Sequence, residues 1–571
     1  MFIREDPKKL ADGTEVRYVS LAHNVWIEGK NGGRHAKPVI YARLGRADEL
    51  DDGVLSSMSK AIERYRAKRF GRGATEDDIA RAVRVEAPAL RQLASRCYGV
   101  RALVEAAWTS TGLRDVLDAV ARQHVLSWDL ERVVFAMVLH RLAEPGSKLA
   151  CNEWIADEAW FPEADGWDVH LFYRALDFLD AHHDEVRAGL AQAATASAEP
   201  EDLRLLLTDT TSTYFDTEAD DTDRDDALRL RGHSKDHRPD RPQVLVGLTC
   251  ASNGRVLHHE VLPGNTSDQK VTVDLVDAAR ARLPGARVVA VCDAGMGGSP
   301  NLAALDERGV DRVTGVPLRV SKVAEEAVLA RPGRWRRHPD KPQVSWRLVE
   351  LDAASSPSAR AELWIATRNA NEAAARKVVI DRHVDRVEAI LARSDRYDEH
   401  DTHVCGLLTH PTLRRYVRRS ADGHRVLLDR DAIARERRRS GVKVIRSTLI
   451  DLDPLVSLDA YEALQKVERN FRTLKGAVRL RPVFHHVPRR VRSHVLVCMA
   501  ALVVMQEIEH RTGRSFTDLR RLFRGIRATQ LEQGTARFWV RGELPSDVES
   551  ILTTLGSRPG AASWGAERVG G

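Results

Sequence analysis

Between residues 201 and 319 the hydrophobic pattern alternates between two periods, one suited to strands and one to helices. LRLLLTDTTSTYFDT opens with an apolar and β-branched run, and QVLVGLTCASNGRVLHHEVL follows. The Asn253-Gly254 pair inside the latter is a hairpin-turn signal, so three antiparallel strands are expected. A helix in SDQKVTVDLVDAARARL, the run ARVVAVCD, a second helix in SPNLAALDERG and the strand DRVTGVPL complete the order β-β-β-α-β-α-β. That is the order of an RNase H-like α/β fold, a mixed sheet with flanking helices, lacking only its last helix.

The flanking segments read differently. Residues 1–48 form a small β-rich module, with EVRYVSLAHNVWI and PVIYARLG as strands, and 49–198 are helical by their three-and-four spacing. We read the helical stretch as a DNA-binding or dimerisation region, ending in the small-residue linker ATASAEPED. Residues 320–455 carry the strands VSWRLVEL and AELWIATRN, a long charged helix and GVKVIRST, too much structure for a loop, and are expected to form an inserted domain. The missing helix reappears in 456–512 as DAYEALQKVERNFRTLKGAV, followed by the apolar helix HVLVCMAALVVMQEIEH. Residues 513–571 hold a basic helix, TDLRRLFRGIR, and a Gly/Ser/Pro/Ala tail from Gly556 that is expected to be disordered.

Composition narrows the class. With 571 residues, 43% hydrophobic and 30% charged, the chain is long enough for several domains. The apolar run Val495 to Met505 is too short to span a bilayer, and MFIREDPKKLADG lacks the apolar segment of a secretory signal, so a cytoplasmic protein without membrane partners is expected. Six cysteines without a C-x-x-C pair fit reduced core thiols. The net charge of +6 is modest, but arginines cluster at 334–337, 414–419, 435–439 and 489–492, which suits a polyanionic partner as well as solvated helix faces.

Candidate chemistry begins with carboxylates in costly places. Asp209 lies inside an apolar strand and Asp293 ends another, where an unpaired charge is unfavourable unless it is paired or bound to metal. Tyr461, Leu464, Glu468 and Lys475 fall within an arc of roughly 60° on one helix face, beside an apolar stripe of Val467, Phe471 and Leu474. Singly, each has a plainer account as a turn residue or a solvated helix position. Together, three carboxylates without a nearby Cys or His pair suit Mg²⁺, with Mn²⁺ as a substitute, for phosphoryl transfer. Lys475 and Tyr461 then become phosphate contacts.

Other DNA-contact candidates are Lys235 and Arg238 in GHSKDHRPD, Lys443 and Arg446 in GVKVIRST, and Arg489, Arg490 and Arg492. His233 and His237 offer no second pair for zinc. Trp335, bracketed by Arg334, Arg336 and Arg337, suits stacking on an unpaired base, whereas Trp346 and Trp364 lie in strand patterns and read as core.

The match Tyr461, Leu464, Glu468, Lys475 resembles the Y-x2-R-x3-E-x6-K signature of insertion-sequence DDE transposases of the insertion-sequence-four superfamily, with Leu464 in place of the Arg. GHSKDHRPDRPQ and PGNTSD resemble further blocks of one branch of it. The resemblance implies an RNase H-like catalytic domain interrupted by a β-rich insertion, with Asp209, Asp293 and Glu468 as catalytic and metal-binding triad. It also implies cleavage of double-stranded DNA at terminal inverted repeats, strand transfer into target DNA, and a homodimer in the synaptic complex. A nuclease without strand transfer and a domesticated, inactive DNA-binding protein are the alternatives.

Overall fold

The computed structural model describes the chain except residues 1, 10–14, 29–33, 48–49, 51, 71–89, 196–203, 284, 331–332, 351–359, 396–401, 534–535, 559 and 569–571. Most of the expected linker ATASAEPED lies outside the described residues. The chain divides into two compact units, one of residues 1–189 with 476–571 and one of residues 190–475.

The first unit opens with the antiparallel sheet β1 (Phe2–Lys9), β2 (Glu15–Glu28) and β3 (Arg34–Arg46). After the helix Asp52–Phe70 and strand β4 (Arg91–Cys97) come α1 (Gly99–Ser110), α2 (Leu130–Ala143), α3 (Lys148–Asp157) and α4 (Val169–Ala181). Three of these start at side-chain caps. Asp129, Ser147 and Asp168 accept from the backbone N–H of Arg132, Ala150 and Leu171, satisfying donors that a helix start leaves open.

The second unit is built on one nine-stranded sheet. β5 (Leu205–Tyr214), β6 (Gln243–Cys250) and β7 (Val256–Pro263) are antiparallel, and the Asn253-Gly254 turn joins the last two, with Gly254 at φ +90°. α5 (Asp268–Arg280) then leads to β8 (Val289–Cys292), and α6 (Ser299–Glu307) to β9 (Asp311–Val316); β8 runs parallel to both β5 and β9. α5 packs close because Gly247 has no side chain: a Cβ there would come within 2.7 Å of Leu275. Leu206, Leu257, Val276, Ala290, Leu305 and Val310 form the core on this face, each large side chain worth roughly 1.5–3 kcal/mol when fully buried.

The expectation of a separate β-rich insertion over 320–455 needs correction. β10 (Arg336–Arg337), β11 (Val344–Val349), β12 (Leu363–Asn369) and β15 (Val442–Ser447) continue the same sheet, in the order β10-β11-β12-β15-β9-β8-β5-β6-β7. β15 pairs antiparallel with β9, so the backbone edge of β9 is covered rather than left bare. Between β12 and β15 lie helices α7 (Ala370–Leu391), α8 (Thr402–Thr409) and α9 (Arg430–Arg439), with the small hairpin β13 (Val417–Arg419) and β14 (Val426–Leu428). They share a core of their own around Ile380, Val384, Leu407, Tyr416, Val426 and Ile433.

The expected single helix over 459–478 is two, α10 (Pro454–Glu462) and α11 (Leu464–Lys475), broken at Ala463. α11 packs Val467, Asn470, Phe471 and Leu474 against β5 and β6. Asn470 Nδ2 donates to the carbonyl of Gly254 at 2.7 Å, tying this helix to the β6–β7 turn.

The chain then returns to the first unit. α12 (Pro488–Thr512), assigned from sequence to the catalytic core, packs against α1, α2 and α4. It is long and apolar enough by composition to cross a membrane, but 89% of its most apolar window is buried within the protein. A helix apolar all round requires neighbours on every side, and the first unit's helices supply them. The tail from Gly556 is not disordered throughout either. After α13 (Phe516–Arg524), β16 (Arg527–Gln533) and β17 (Ala536–Arg541), residues Ser563–Arg568 form β18 of a four-stranded sheet with β4. Trp564 supplies the reason, its ring lying 4.8 Å from Trp160 and 5.5 Å from Tyr98.

Candidate active site

The parallel pairing of β5 and β8 ends at Thr208 opposite Cys292, so Asp209 and Asp293 stand side by side one step further on. The pleat turns both to the sheet face opposite α5. Glu468 projects from α11, and all three carboxylates line one cavity of about 670 Å³. Tyr461, Leu464 and Lys443 line it as well.

Each aspartate is fixed locally. Asp209 Oδ1 accepts the N–H of Thr210 at 2.7 Å, and Asp293 Oδ1 accepts that of Ala294 at 2.6 Å. The Tyr461 hydroxyl donates to Asp293 Oδ1 at 3.2 Å. Gly315 on β9 makes room for that ring, since a Cβ would lie 2.4 Å from the hydroxyl oxygen. Burial, then the charge of Asp293, push the Tyr461 hydroxyl above its ordinary range, keeping it a proton donor at neutral pH. Gly315→Ala is accordingly expected to dislodge Tyr461 and lower cleavage roughly tenfold with little loss of melting temperature, as a packed but displaceable contact would. A steady-state rate beside a thermal melt checks this.

Burial pushes the Asp209 carboxyl up to about 6; Lys235 and the Thr210 N–H lower it, and Asp293 and Asp268 raise it. Neighbouring carboxylates that oppose each other's ionisation favour a bound cation. Among the described residues no group of three or more His, Cys, Asp or Glu side chains is arranged to hold a metal ion. The hard oxygen donors of Asp209 and Asp293 suit a cation of the Mg²⁺ type, which takes one or two carboxylates and fills its other positions with water and phosphate. Glu468 stands on the cavity wall as a further donor.

The loop after β5 carries opposite charges to two of these groups. Lys235 Nζ donates to the Thr210 carbonyl and hydroxyl, each at 2.6 Å, pairs with Asp268 at 3.0 Å and lies 3.8 Å from Asp209. The next residue, Asp236, pairs with Lys475 at 2.9 Å. Gly232 and Gly264 allow this: a Cβ on either would come within 2.1 Å or less of backbone oxygen. The two blocks singled out in the sequence thus pack against each other, the loop before β6 on the turn after β7.

The remaining candidates divide. Lys443 pairs with Glu372 at 2.9 Å and is half exposed on the cavity wall. Arg238 pairs with Asp240 and lies over the Tyr214 ring. Arg446, expected on DNA, is buried: its guanidinium donates to the Gly297 carbonyl at 2.6 Å and to Thr314, bracing the loop after Asp293. Trp335, expected to stack on a base, packs against the Leu318, Val349 and Trp364 cluster, with Arg347 over its ring at 5.4 Å. Trp346 and Trp364 are buried as expected. Arg489 and Arg490 pair with Asp177, and Arg492 with Asp180, joining α12 to α4 rather than facing solvent alone. Sequence reasoning missed Arg469 and Arg472 on the cavity wall; Arg472 follows Glu468 by four residues, a spacing that shares a helix face.

A DNA-transposing enzyme is the class that comparison with known families returns: residues 203–504, more than half of the chain, match the family model described as the transposase DDE domain. The protein belongs to that family. No curated protein sequence matches the chain. Among solved structures, the chain is similar to that of a piggyBac transposase synaptic complex with hairpin DNA, at 9% identity and a TM-score of 0.36, over 73% of this chain and 79% of that one.

Proposed function

We propose that this transposase cuts double-stranded DNA at the terminal inverted repeats of its element and joins the freed 3′ end to target DNA, on an RNase H-like core. The observation that carries the reading is the pair Asp209 and Asp293 abreast on parallel strands, with Glu468 facing the same cavity. In this reading Asp209 and Asp293 would hold Mg²⁺, or Mn²⁺ in its place, with Glu468 as a further donor on the cavity wall, and the ion would supply Lewis-acid chemistry for phosphoryl transfer. Cleavage forms a bond from a water oxygen to phosphorus and breaks the P–O3′ bond; in the joining step the 3′-hydroxyl oxygen attacks a target phosphorus and displaces its 3′ oxygen. Tyr461 holds Asp293 in place. Lys443, Arg469 and Arg472 offset phosphate charge on the cavity wall, the last two standing in for the guanidinium that Leu464 lacks.

Lys475 is the phosphate contact on the far end of α11, and Asp236 occupies it in the absence of DNA. Asp236→Asn is expected to raise affinity for duplex DNA roughly two- to fivefold and to steepen its salt dependence by about one contact. Unchanged affinity across a salt series sinks the assignment of Lys475. The protein acts on DNA in the cytoplasm as a homodimer, a state that mass measurement on the DNA-bound protein checks.

The whole reading is tested with DNA carrying the element's end, a target plasmid and Mg²⁺. End-specific nicks and joined products, both lost in a chelator, are expected. Nicks without joined product from precut ends point instead to a nuclease without strand transfer.

A further inference from the structure

A second cavity of the same unit, about 580 Å³, adjoins the one with the carboxylates, and the Lys443–Glu372 ion pair lines both. Its wall is cationic: Arg319, Arg376, Arg415, Arg439 and Lys443 stand against two carboxylates, Glu372 and Glu436. Those two are already engaged. Glu436 pairs with Arg319 at 2.6 Å and Arg439 at 2.9 Å, and Glu372 with Lys443 at 2.9 Å. Arg376 and Arg415 remain, and among the described residues neither forms an ion pair. Arg415 is nonetheless held in place, its Nε donating to the Thr412 carbonyl at 2.9 Å.

A third polar group faces the same space. His383 lines the cavity, and among the described residues its buried Nδ1 has no hydrogen-bond partner. Burial first, then the charges of Arg415, Arg382 and Arg386, hold this imidazole below its ordinary pKa. The walls are preformed. α7 and α9 are fixed by the core around Ile380, Tyr416 and Ile433, and Gly441 at φ +72° turns the chain where a Cβ would lie 2.4 Å from the Asn369 carbonyl. Two guanidiniums that face one preformed cavity suit an anion that accepts their paired N–H groups.

We infer that this cavity binds a phosphodiester group of the DNA strand that passes Lys443 from the carboxylate cavity, with Arg376 and Arg415 as its counter-charges. A strand is favoured over a free anion because the cavity adjoins the carboxylates across a lysine that borders both. The inference rests on the proposed action on DNA but needs neither metal nor cleavage.

The test is fluorescence anisotropy of a labelled duplex in metal-free buffer over a salt series. Arg376→Ala with Arg415→Ala is expected to weaken binding about five- to tenfold at intermediate salt and to reduce the slope of log affinity against log salt by about two. Should the double variant unfold, Arg376→Gln alone, on an exposed helix position, is expected to reduce the slope by about one. Wild-type affinity and slope in the folded variants overturn the inference. Calorimetric titration with pyrophosphate separates the sources: its loss in the variants with DNA affinity unchanged assigns the cavity to a free anion and overturns the strand. If the wild-type protein binds no DNA, the proposed function fails instead.

Discussion

Asp209→Asn, Asp293→Asn and Glu468→Gln are each expected to lower the proposed DNA-end cleavage by roughly a thousandfold or more, the scale on which removing one preorganised charge-stabilising group acts. DNA binding is expected to persist in all three, because in the proposed reading cationic groups and not these carboxylates meet the phosphates. Asp209→Asn carries a second signature. Its carboxyl is raised to about 6 in the folded protein, chiefly by burial, against about 3.9 in an unfolded chain. An acid whose pKa rises on folding costs stability where it is ionised, so the cost grows as pH rises from about 4 through 6 and is complete at neutrality. Asparagine removes it. In chelator at pH 7 this variant is expected to be more stable than wild type by about 1–2 kcal/mol, allowing for a side chain 24% exposed. Mg²⁺ should then raise the melting temperature of wild type and not of Asp209→Asn. Asp293 and Glu468 are exposed, so their variants are expected to melt with wild type. Wild-type cleavage in any one of the three removes that residue from the catalytic set, and an unstabilised Asp209→Asn separates its burial from its role.

How much of this was legible in the sequence follows from what local pattern encodes. Period and turn chemistry report on a residue's own element, so β5, β6, β7, α5, β8, α6 and β9 appear in the expected order. The positions of Asp209 and Asp293 at matching points of two strands could be read the same way. Pattern does not report partners. VSWRLV and LWIATRN read as strands, but nothing local says that β15 closes on β9 and makes them part of the central sheet. Arg446 was legible in principle: period two places it on the face of Val444, which is buried. The Arg-rich setting outweighed that signal. The pairings of Arg489, Arg490 and Arg492 with Asp177 and Asp180 span some three hundred positions and leave no local trace. Ala463 is a good helix former, so the break there between Tyr461 and Glu468 has no sequence cue.

The helical unit is expected to unfold near pH 4 to 5, while mild acid relieves Asp209 in the other unit. His140 and His485 are pushed down to about 3 and His494 well below its usual range, in each case first by burial and then by Arg141 and Lys148. Arg490 and His486 add to the field at His485. A base whose pKa falls on folding stays neutral in the native state but takes a proton once unfolded. Stability is therefore whole above the unfolded value of about 6.5 and declines below it by up to about 1.4 kcal/mol per pH unit for each histidine. His140 and His485 together remove up to about 3 kcal/mol per unit and His494 acts in the same direction, a loss that a few units of acid turn into a large share of an ordinary domain's 5–15 kcal/mol. Lys148, pushed down to about 8 by burial and then by Arg141, works on the opposite flank: stability should rise as pH climbs from about 8 towards 10.5. His485→Phe keeps a ring against Tyr173, now 6.1 Å away and edge-on, and cannot take a proton. With His140→Phe it is expected to move the acid midpoint down by about half a unit or more, followed by circular dichroism across a pH series. An unmoved midpoint in a folded double variant would mean that other groups govern acid unfolding, and stability that falls rather than rises above pH 8 would remove Lys148 from the account.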